Sequence, residues 1–153
     1  MKDILREIGM IERCFESIAN IEFKDYGLAK NQYIYLVRIC ENPGIIQERV
    51  ADMLKVHRST ASRAIEKLKK AGFITKKKDK DNNKIFKLYP TESGAKMYAL
   101  LENEEIYSDK IALQGFASDE IESLLNYLKR IRRNIEPDWE LVKKGGTRDY
   151  LIR

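Results

Sequence analysis

Apolar residues recur with a helical period at the start of the chain. Five of them follow one another at alternating steps of four and three residues: Ile4, Ile8, Ile11, Phe15 and Ile18. This spacing places them on one side of a helix, close to the seam of a heptad repeat, with charged residues opposite. Residues 25–27 break the pattern. The stripe predicts a first helix that packs either on the chain's own core or on a partner.

More helices are predicted before residue 72. The second covers residues 29–40 and stops at residues 42–44, Asn-Pro-Gly, because Pro and Gly break helices. A short third helix covers residues 46–54, and a fourth covers residues 58–71. Apolar residues of the fourth helix recur at i, i+3, i+4 and i+7, which turns one side inward and leaves polar and basic side chains outside: Ala61, Ala64, Ile65 and Leu68. Gly72 suits the position that ends this helix.

Two strands and two long helices follow. Residues 73–75 and 85–89 have strand character, and the polar, turn-forming sequence between them predicts a hairpin with a basic tip. Thr91 is expected to cap a helix that ends near Gly115. The last helix is expected to begin at residues 118–120, where acidic residues favour the helix dipole, and to end at Pro137. The order of elements predicts a mainly α fold with a small β-hairpin wing, the winged helix-turn-helix.

Positive charge is concentrated in one part of the chain. The formal net charge is +5, yet residues 55–87 contain twelve Lys and Arg against three acids, or +9, so the remainder carries −4. A local excess of this kind indicates a surface that meets a polyanion. The alternative is a solvated helix face with a charged hairpin.

Several classes of protein are disfavoured. The chain has neither a signal-peptide pattern nor an apolar stretch long enough to span a membrane, so we expect a cytoplasmic protein without membrane contact. Two cysteines without metal-ligand spacing and the lone His57 predict neither a metal site nor a catalytic dyad. Without a Gly-rich phosphate loop or a nucleophile–base pair, we expect no cofactor and no enzymatic activity.

Candidate DNA contacts follow from helix-turn-helix geometry. The second helix of such a motif presents its N-terminal residues to the major groove, where small polar side chains permit close approach and an arginine reads guanine or holds a phosphate. On the fourth helix these candidates are Arg58, Ser59, Thr60, Ser62, Arg63, Lys67 and Lys70. On the hairpin tip they are Lys76, Lys77, Lys78, Lys80 and Lys84. For Arg63, an ion pair with Glu66 is the alternative.

The same residues resemble the MarR-type winged helix-turn-helix transcription regulators. By motif the resemblance covers residues 27–94, and by architecture it covers the whole chain. The stretches that carry it are GLAKNQYIYLVRI, NPGIIQERVADMLKVHRSTASRAIEKLKKAGFI and KIFKLYPTESG.

This resemblance implies a single MarR-like domain over residues 1–153. The winged helix-turn-helix would occupy residues 29–90, dimerisation helices 1–24 and 91–136, and a tail 137–153. It further implies a homodimer that binds double-stranded DNA at a pseudo-palindromic operator, most simply as a repressor that responds to a small-molecule effector. A winged-helix module for protein or RNA is the alternative from another class.

The chain departs from the family's pattern at two places. The family usually has Asp-x-Arg at the wing, where this chain has Asn82 and Lys84, and Asp81 is a candidate substitute through a shifted turn. His57 stands where a good N-cap is usual for the recognition helix. Because histidine is a poor N-cap, we expect Ser59 or water to cap that helix instead.

Three residues are candidates for binding an effector or sensing an oxidant, on weaker sequence signals than the DNA contacts. Tyr33 and Tyr35 on the second helix are positioned to line a pocket for an aromatic effector, with ordinary packing as the alternative. Cys14 lies on the first helix, where some regulators of this type sense oxidants. Its only neighbouring cation is Arg13, so the alternative of a small buried hydrophobe stays open.

Overall fold

The computed structural model describes residues 2–151. Helices dominate this part of the chain, which confirms the predicted fold class. The helices are α1 (Asp3–Phe23), α2 (Tyr33–Glu41), α3 (Gln47–Leu54), α4 (Arg58–Lys70), α5 (Glu92–Ala112) and α6 (Ser118–Lys143). The strands are β1 (Ile45–Ile46), β2 (Ile74–Lys78) and β3 (Phe86–Pro90), and single 3-10 turns cover Lys24–Tyr26 and Asp149–Leu151. None of the described helices is long and apolar enough to cross a membrane.

The three strands form one antiparallel sheet in the order β1-β3-β2. Ile74 pairs with Pro90 at one end of the hairpin, and Lys78 pairs with Phe86 at the other. The two-residue strand β1 pairs with β3 through Ile45 and Leu88. This pairing ties the hairpin to the start of α3. The sequence pattern missed β1 because two residues are too few to show a period.

The chain forms two compact units, one up to Glu105 and one from Ile106. The first unit holds a continuous apolar core that joins α2, α3, α4 and the sheet. Its fully buried side chains are Leu36, Ile39, Val50, Ile65, Leu68, Ile74 and Leu88. The predicted inward face of α4 is thereby confirmed, with Ala61, Ile65 and Leu68 all buried.

The turn from α4 into the sheet is fixed by Gly72, Thr91 and Gly94. Gly72 has a φ of +83°, the left-handed conformation that ends helices and that glycine adopts freely. The Thr91 hydroxyl accepts a hydrogen bond from the Gly94 N–H at 3.1 Å and donates one to the Gly72 carbonyl at 2.6 Å. A Cβ on Gly94 would lie 2.0 Å from the carbonyl oxygen of Phe73. The hairpin therefore sits directly on the start of α5, with Thr91 as the predicted cap.

Helix α2 begins at Tyr33, so the predicted start at residue 29 was wrong. Asn31 has a left-handed φ of +63°, and Asn20 holds it through two hydrogen bonds of 2.9 Å. The Gln32 side-chain oxygen accepts the Ala29 N–H at 3.1 Å. These polar side chains satisfy the backbone in a turn instead of a helix, which hydrophobic period alone could not reveal.

Helix α6 continues through Pro137 to Lys143, so its predicted end at Pro137 was wrong and part of the predicted tail is helical. Proline removes one helical hydrogen bond, at a cost of about 3 kcal/mol in a helix interior. Two contacts lie in and beyond the last turns of the helix. The Lys143 ammonium lies 5.6 Å from the centre of the Trp139 ring, and Arg148 donates to the Asp138 carboxylate at 2.8 Å.

Candidate nucleic-acid interface

A tight turn connects α3 to α4. Lys55 closes α3 in the left-handed conformation, with a φ of 54°, and His57 enters α4 with extended backbone. Val50 and Ala51 of α3 are buried in the same core as the inner face of α4. Most of the outer face of α4 is therefore left to solvent.

The outer face of α4 presents the predicted side chains. Ser62 is partly buried, whereas the others are exposed: Arg58, Ser59, Thr60, Arg63, Lys67 and Lys70. Within residues 2–151 Arg63 forms no ion pair, because Glu66 bonds to Lys76 instead. The alternative in which Glu66 neutralises Arg63 is therefore not adopted.

His57 itself caps α4, so the expectation that Ser59 or water would do so was wrong. The His57 Nδ1 accepts a hydrogen bond from the Ser59 N–H at 3.3 Å and lies 2.9 Å from the Ser59 hydroxyl oxygen. Only an unprotonated ring nitrogen can accept in this way. The imidazole thus performs the role that Asn, Asp, Ser and Thr usually take at a helix N-terminus.

Arg58 is less available than the sequence suggests. Its guanidinium donates to the Glu48 carboxylate on α3, which joins the two helices of the motif. Both side chains are largely exposed, so the pair contributes little stability. It does place an acid beside the first residue of α4.

The hairpin lysines divide into two groups. Lys76, Lys77 and Lys78 lie within β2, so their predicted position at the tip was wrong. The Lys76 ammonium is 3.0 Å from the Glu66 carboxylate and 5.0 Å from the centre of the Phe86 ring, and only 18% of its side chain is exposed. The hydrogen bond from Lys76 lowers the pKa of Glu66. Lysine is a poor strand former, which is why the sequence pattern placed these residues in the turn.

The wing tip, residues 79–85, carries the other group. Lys80 and Lys84 are exposed there and form no ion pair within the described chain. The loop is organised by Asp79, whose carboxylate accepts the Asp81 and Asn82 N–H groups at 3.3 and 3.2 Å. Asp79 thus takes the role expected of Asp81, and that expectation was wrong.

A cross-strand ion pair completes the wing tip. The Lys87 ammonium lies 3.1 Å from the Asp79 carboxylate. It lowers the pKa of Asp79, while the carboxylate raises the pKa of Lys87. Asn82 in turn accepts the Lys84 N–H through its side-chain oxygen at 3.0 Å.

Together, α4 and the wing form one basic surface within the first unit. Its exposed cations without an ion pair in the described chain are Arg63, Lys67, Lys69, Lys70, Lys77, Lys78, Lys80 and Lys84. Sequence reasoning missed the roles of Glu48 and Asp79, and it considered Glu66 as a partner of Arg63 where the structure pairs it with Lys76. These pairings depend on which residues face one another across elements, which charge counting along a chain does not give.

The two tyrosines differ. Tyr33 lines a cavity of about 150 Å³ between α2, α3 and α5, together with Arg38, Leu101 and Glu104. Burial and the nearby Glu16, Glu104 and Glu12 raise its pKa. Tyr35 is buried in the core and does not line this cavity, which favours the alternative of ordinary packing. Residues two apart on a helix point to different sides.

The cysteines also differ. Cys14 is exposed on α1, so the interpretation of it as a buried hydrophobe does not hold within the single chain. Cys40 is partly buried, with its sulfur 3.8 Å from the Gly94 carbonyl oxygen. Burial, and to a smaller extent Glu41, raises the pKa of Cys40 to about 11. Among the described residues, no three His, Cys, Asp or Glu side chains cluster to hold a metal.

Comparison with known proteins agrees with this geometry. The MarR family model matches residues 28–86, which hold the helix-turn-helix and most of the wing. An uncharacterised HTH-type transcriptional regulator of Bacillus subtilis, YybA, is 60% identical over 150 residues, which are 98% of this chain and all of the relative.

Solved structures give the same picture. A putative MarR family transcriptional regulator from Listeria monocytogenes, complexed with 26mer DNA, is 55% identical, with a TM-score of 0.95, over 98% of this chain and all of that one. A MarR protein from Peptoclostridium difficile is 38% identical, with a TM-score of 0.87, over 92% of each chain. Members of this family are transcription regulators and not enzymes. With 55% identity to the Listeria MarR regulator over 98% of its length, and 38% identity to the Peptoclostridium MarR protein over 92%, the chain belongs to the MarR family.

Proposed function

We propose that this protein is a dimeric repressor that binds double-stranded DNA through α4 and the wing. The observation that carries the proposal is the single surface of exposed, unpaired cations on these elements. Cations of this kind neutralise phosphates and release counterions, which supplies most of the sequence-independent affinity for DNA. The Listeria relative complexed with DNA supports the same assignment.

Within that surface, α4 has the chemistry to read bases. Ser59 and Thr60 are small and exposed at its first turn, where the recognition helix of such motifs approaches base edges. One turn later, Arg63 can donate two parallel hydrogen bonds to guanine. Lys67 and Lys70 lie farther along the helix and are assigned to the phosphate backbone.

The exposed apolar residues support a homodimer. Helix α1 exposes Ile4, Ile11 and Ile18 of its stripe, and α6 exposes Leu124, Leu125 and Leu128. A second copy of the chain would bury both surfaces. In such a dimer the two α4 helices would enter successive major grooves, roughly 34 Å apart, which requires a pseudo-palindromic operator.

The cavity at Tyr33 supports an effector site. A small aromatic molecule there would contact α2 and α5, and it would shift the protein between conformations if it bound one of them better. A cytoplasmic location follows from the proposal, because that is where bacterial regulators meet chromosomal DNA.

The test is a fluorescence titration of a labelled duplex at several salt concentrations. The promoter that flanks the protein's own gene is the first duplex to use. Affinity should fall steeply with salt, and Arg63→Ala should weaken binding by about tenfold to hundredfold, the loss of about 1–3 kcal/mol expected for one guanine contact. Lys30→Ala is the control, since it removes one exposed charge from the connection before α2.

The outcomes separate the proposal from its alternative. Affinity that does not change with salt, or an Arg63→Ala variant that binds like Lys30→Ala, contradicts the DNA-binding role. A monomer in solution that ignores duplex DNA favours a winged-helix module for protein or RNA.

A further inference from the structure

The shape of the wing tip depends on one carboxylate. Asp79 lies at the end of β2 and accepts two backbone N–H groups from the turn, those of Asp81 and Asn82. The same carboxylate binds the Lys87 ammonium across the hairpin at 3.1 Å. The Asp79 backbone N–H also donates to the Ile85 carbonyl at 2.9 Å. Both sides of the turn are therefore tied to a single residue.

This arrangement fixes the two free cations of the turn. Lys80 directly follows Asp79, and the Lys84 N–H is held by the Asn82 side chain at 3.0 Å. The Ile85 N–H donates to the Asn82 carbonyl at 3.0 Å. Every backbone bond that orders the turn thus involves either Asp79 or Asn82, while the Lys80 and Lys84 side chains extend into solvent.

Electrostatics alone would argue against Asp79 at this place. It is an acid on a surface that would meet a polyanion, so by charge it should weaken DNA binding. Asp81, two residues later, is the suitable comparison because it is also an exposed acid of the turn. Within the described chain, however, the Asp81 side chain forms no hydrogen bond and no ion pair.

We propose that Asp79 is a positioning residue that orders the wing tip before DNA arrives, so that Lys80 and Lys84 are presented to the backbone without a further loss of conformational freedom. This inference rests on the proposed DNA-binding function. Preorganisation of a binding loop improves affinity because the ordering cost is already met in the free protein. Removal of Asp79 should therefore raise the affinity for DNA if only its charge matters, and lower it if its ordering of the wing tip matters more.

The test compares Asp79→Ala with Asp81→Ala in the duplex titration. Each change removes one negative charge from the same turn. Asp81→Ala should tighten binding by about twofold, in line with a more positive surface. Asp79→Ala should weaken binding by about tenfold, although it also releases Lys87 from its partner. Asp79→Asn retains an oxygen that can accept the turn N–H groups and should recover part of the loss.

A second measurement reads the order of the turn directly. Protection of the amides of residues 81 and 82 from hydrogen exchange, relative to each variant's intrinsic rates, should fall in Asp79→Ala and stay as in the wild type in Asp81→Ala. Thermal unfolding of both variants should match that of the wild type, because the turn lies outside the core. This separates loss of wing order from loss of the fold.

The results distinguish the two levels of inference. If the wild type binds duplex DNA and Asp79→Ala binds as tightly as Asp81→Ala, the positioning role is overturned while the proposed function stands. If exchange at Asp81 and Asn82 is the same in Asp79→Ala and wild type, the positioning role is likewise overturned. A wild type without salt-dependent binding overturns the proposed function itself, and the positioning role with it.

Discussion

The two compact units of the molecule differ in how far their apolar side chains are buried. All of the buried apolar side chains of the described chain lie between Ala19 and Leu101, within the first unit. From Ile106 onward no described residue is buried, and Leu125 and Tyr127 of α6 are 50% and 58% exposed. The first unit has a core of its own, whereas the second presents an apolar surface with nothing of its own to cover it.

The difference indicates two sources of stability. Side chains in a packed core contribute through contacts inside one chain, independent of protein concentration. Apolar side chains exposed in a single chain contribute once a partner covers them, and their effect then depends on concentration. Helix α1 belongs to the first unit by its contacts, yet its stripe is exposed like α6. Concentration dependence is therefore the property that distinguishes the two regions.

The largest effect is expected for Leu88→Ala in the sheet. Leu88 is completely buried and packs against the core that α2, α3 and α4 share. Removing its side chain should lower the free energy of unfolding by about 2–5 kcal/mol, because it leaves a cavity in a packed core. Urea unfolding followed by circular dichroism measures this change. The loss should be the same at low and high protein concentration.

The matched control is Met53→Ala, which removes a 40% exposed apolar side chain from the same unit. Its effect should stay within about 0.5 kcal/mol. A loss below 1 kcal/mol for Leu88→Ala would contradict a self-sufficient core in the first unit.

A smaller and concentration-dependent effect is expected for Leu125→Ala in α6. Leu125 is 50% exposed in the single chain, so without a partner its loss should cost no more than about 0.5 kcal/mol. In the proposed homodimer the cost should rise to about 1–3 kcal/mol, because a second copy buries the side chain. The unfolding midpoint is measured across a hundredfold range of protein concentration. Sedimentation gives the mass of the protein in solution.

Lys129→Ala is the control on the same helix, and it should leave both mass and midpoint unchanged. If the midpoint of Leu125→Ala shifts equally at all concentrations, or the wild type sediments as a monomer, the apolar surface of α6 has another explanation than self-association.

The features that the sequence predicted are those that depend on neighbouring residues along the chain. The start of α4, its end to within one residue, Gly72 as its terminator and Thr91 as the cap of α5 were all predicted, because a strong helical period and local capping chemistry determine them. The basic surface was predicted from charge counting. Features that depend on contacts between elements were not: the strand β1, the ion pair of Lys76 with Glu66, and the role of Asp79.

The helix boundaries that failed have local physical causes. Asn31 adopts a left-handed conformation, which asparagine tolerates and which two hydrogen bonds to Asn20, eleven residues away, stabilise. Helix α6 continues past Pro137, and Lys143 and Arg148 contact Trp139 and Asp138 in its last turns. In both places specific side-chain contacts accompany a departure from the average preference of a residue type.

A change of about 0.5–1 kcal/mol is expected for His57→Ala at the start of α4, the range typical of a lost N-cap. The Ala variant leaves the Ser59 N–H without its acceptor at 3.3 Å, whereas His57→Asn supplies an amide oxygen that can accept it. The Asn variant should be at least as stable as the wild type. Thermal unfolding of both variants at one protein concentration provides the comparison, and equal losses in the two would exclude a capping role.

The smallest expected effect is a difference in reactivity between the two thiols. Cys40 lies in a packed site and Cys14 in an exposed one. Cys40 lies against the Gly94 carbonyl, and burial raises its pKa to about 11, whereas Cys14 is exposed. Because the thiolate is the reactive form, Cys40 should react slowly with a disulfide reagent at pH 8 in Cys14→Ser, and Cys14 should react faster in Cys40→Ala.

The raised pKa of Cys40 also makes the free energy of unfolding depend on pH. The folded state holds the proton more tightly than the unfolded state, whose thiol keeps a pKa near 9.0. This contribution is fully present below pH 9 and is lost as pH rises towards about 11. Wild type should therefore lose stability more steeply than Cys40→Ala across that window. If stability falls with pH equally in wild type and Cys40→Ala, or if the two thiols react at the same rate, Cys40 is as accessible as Cys14. The packing of the first unit would then not extend to the contact between α2 and α5.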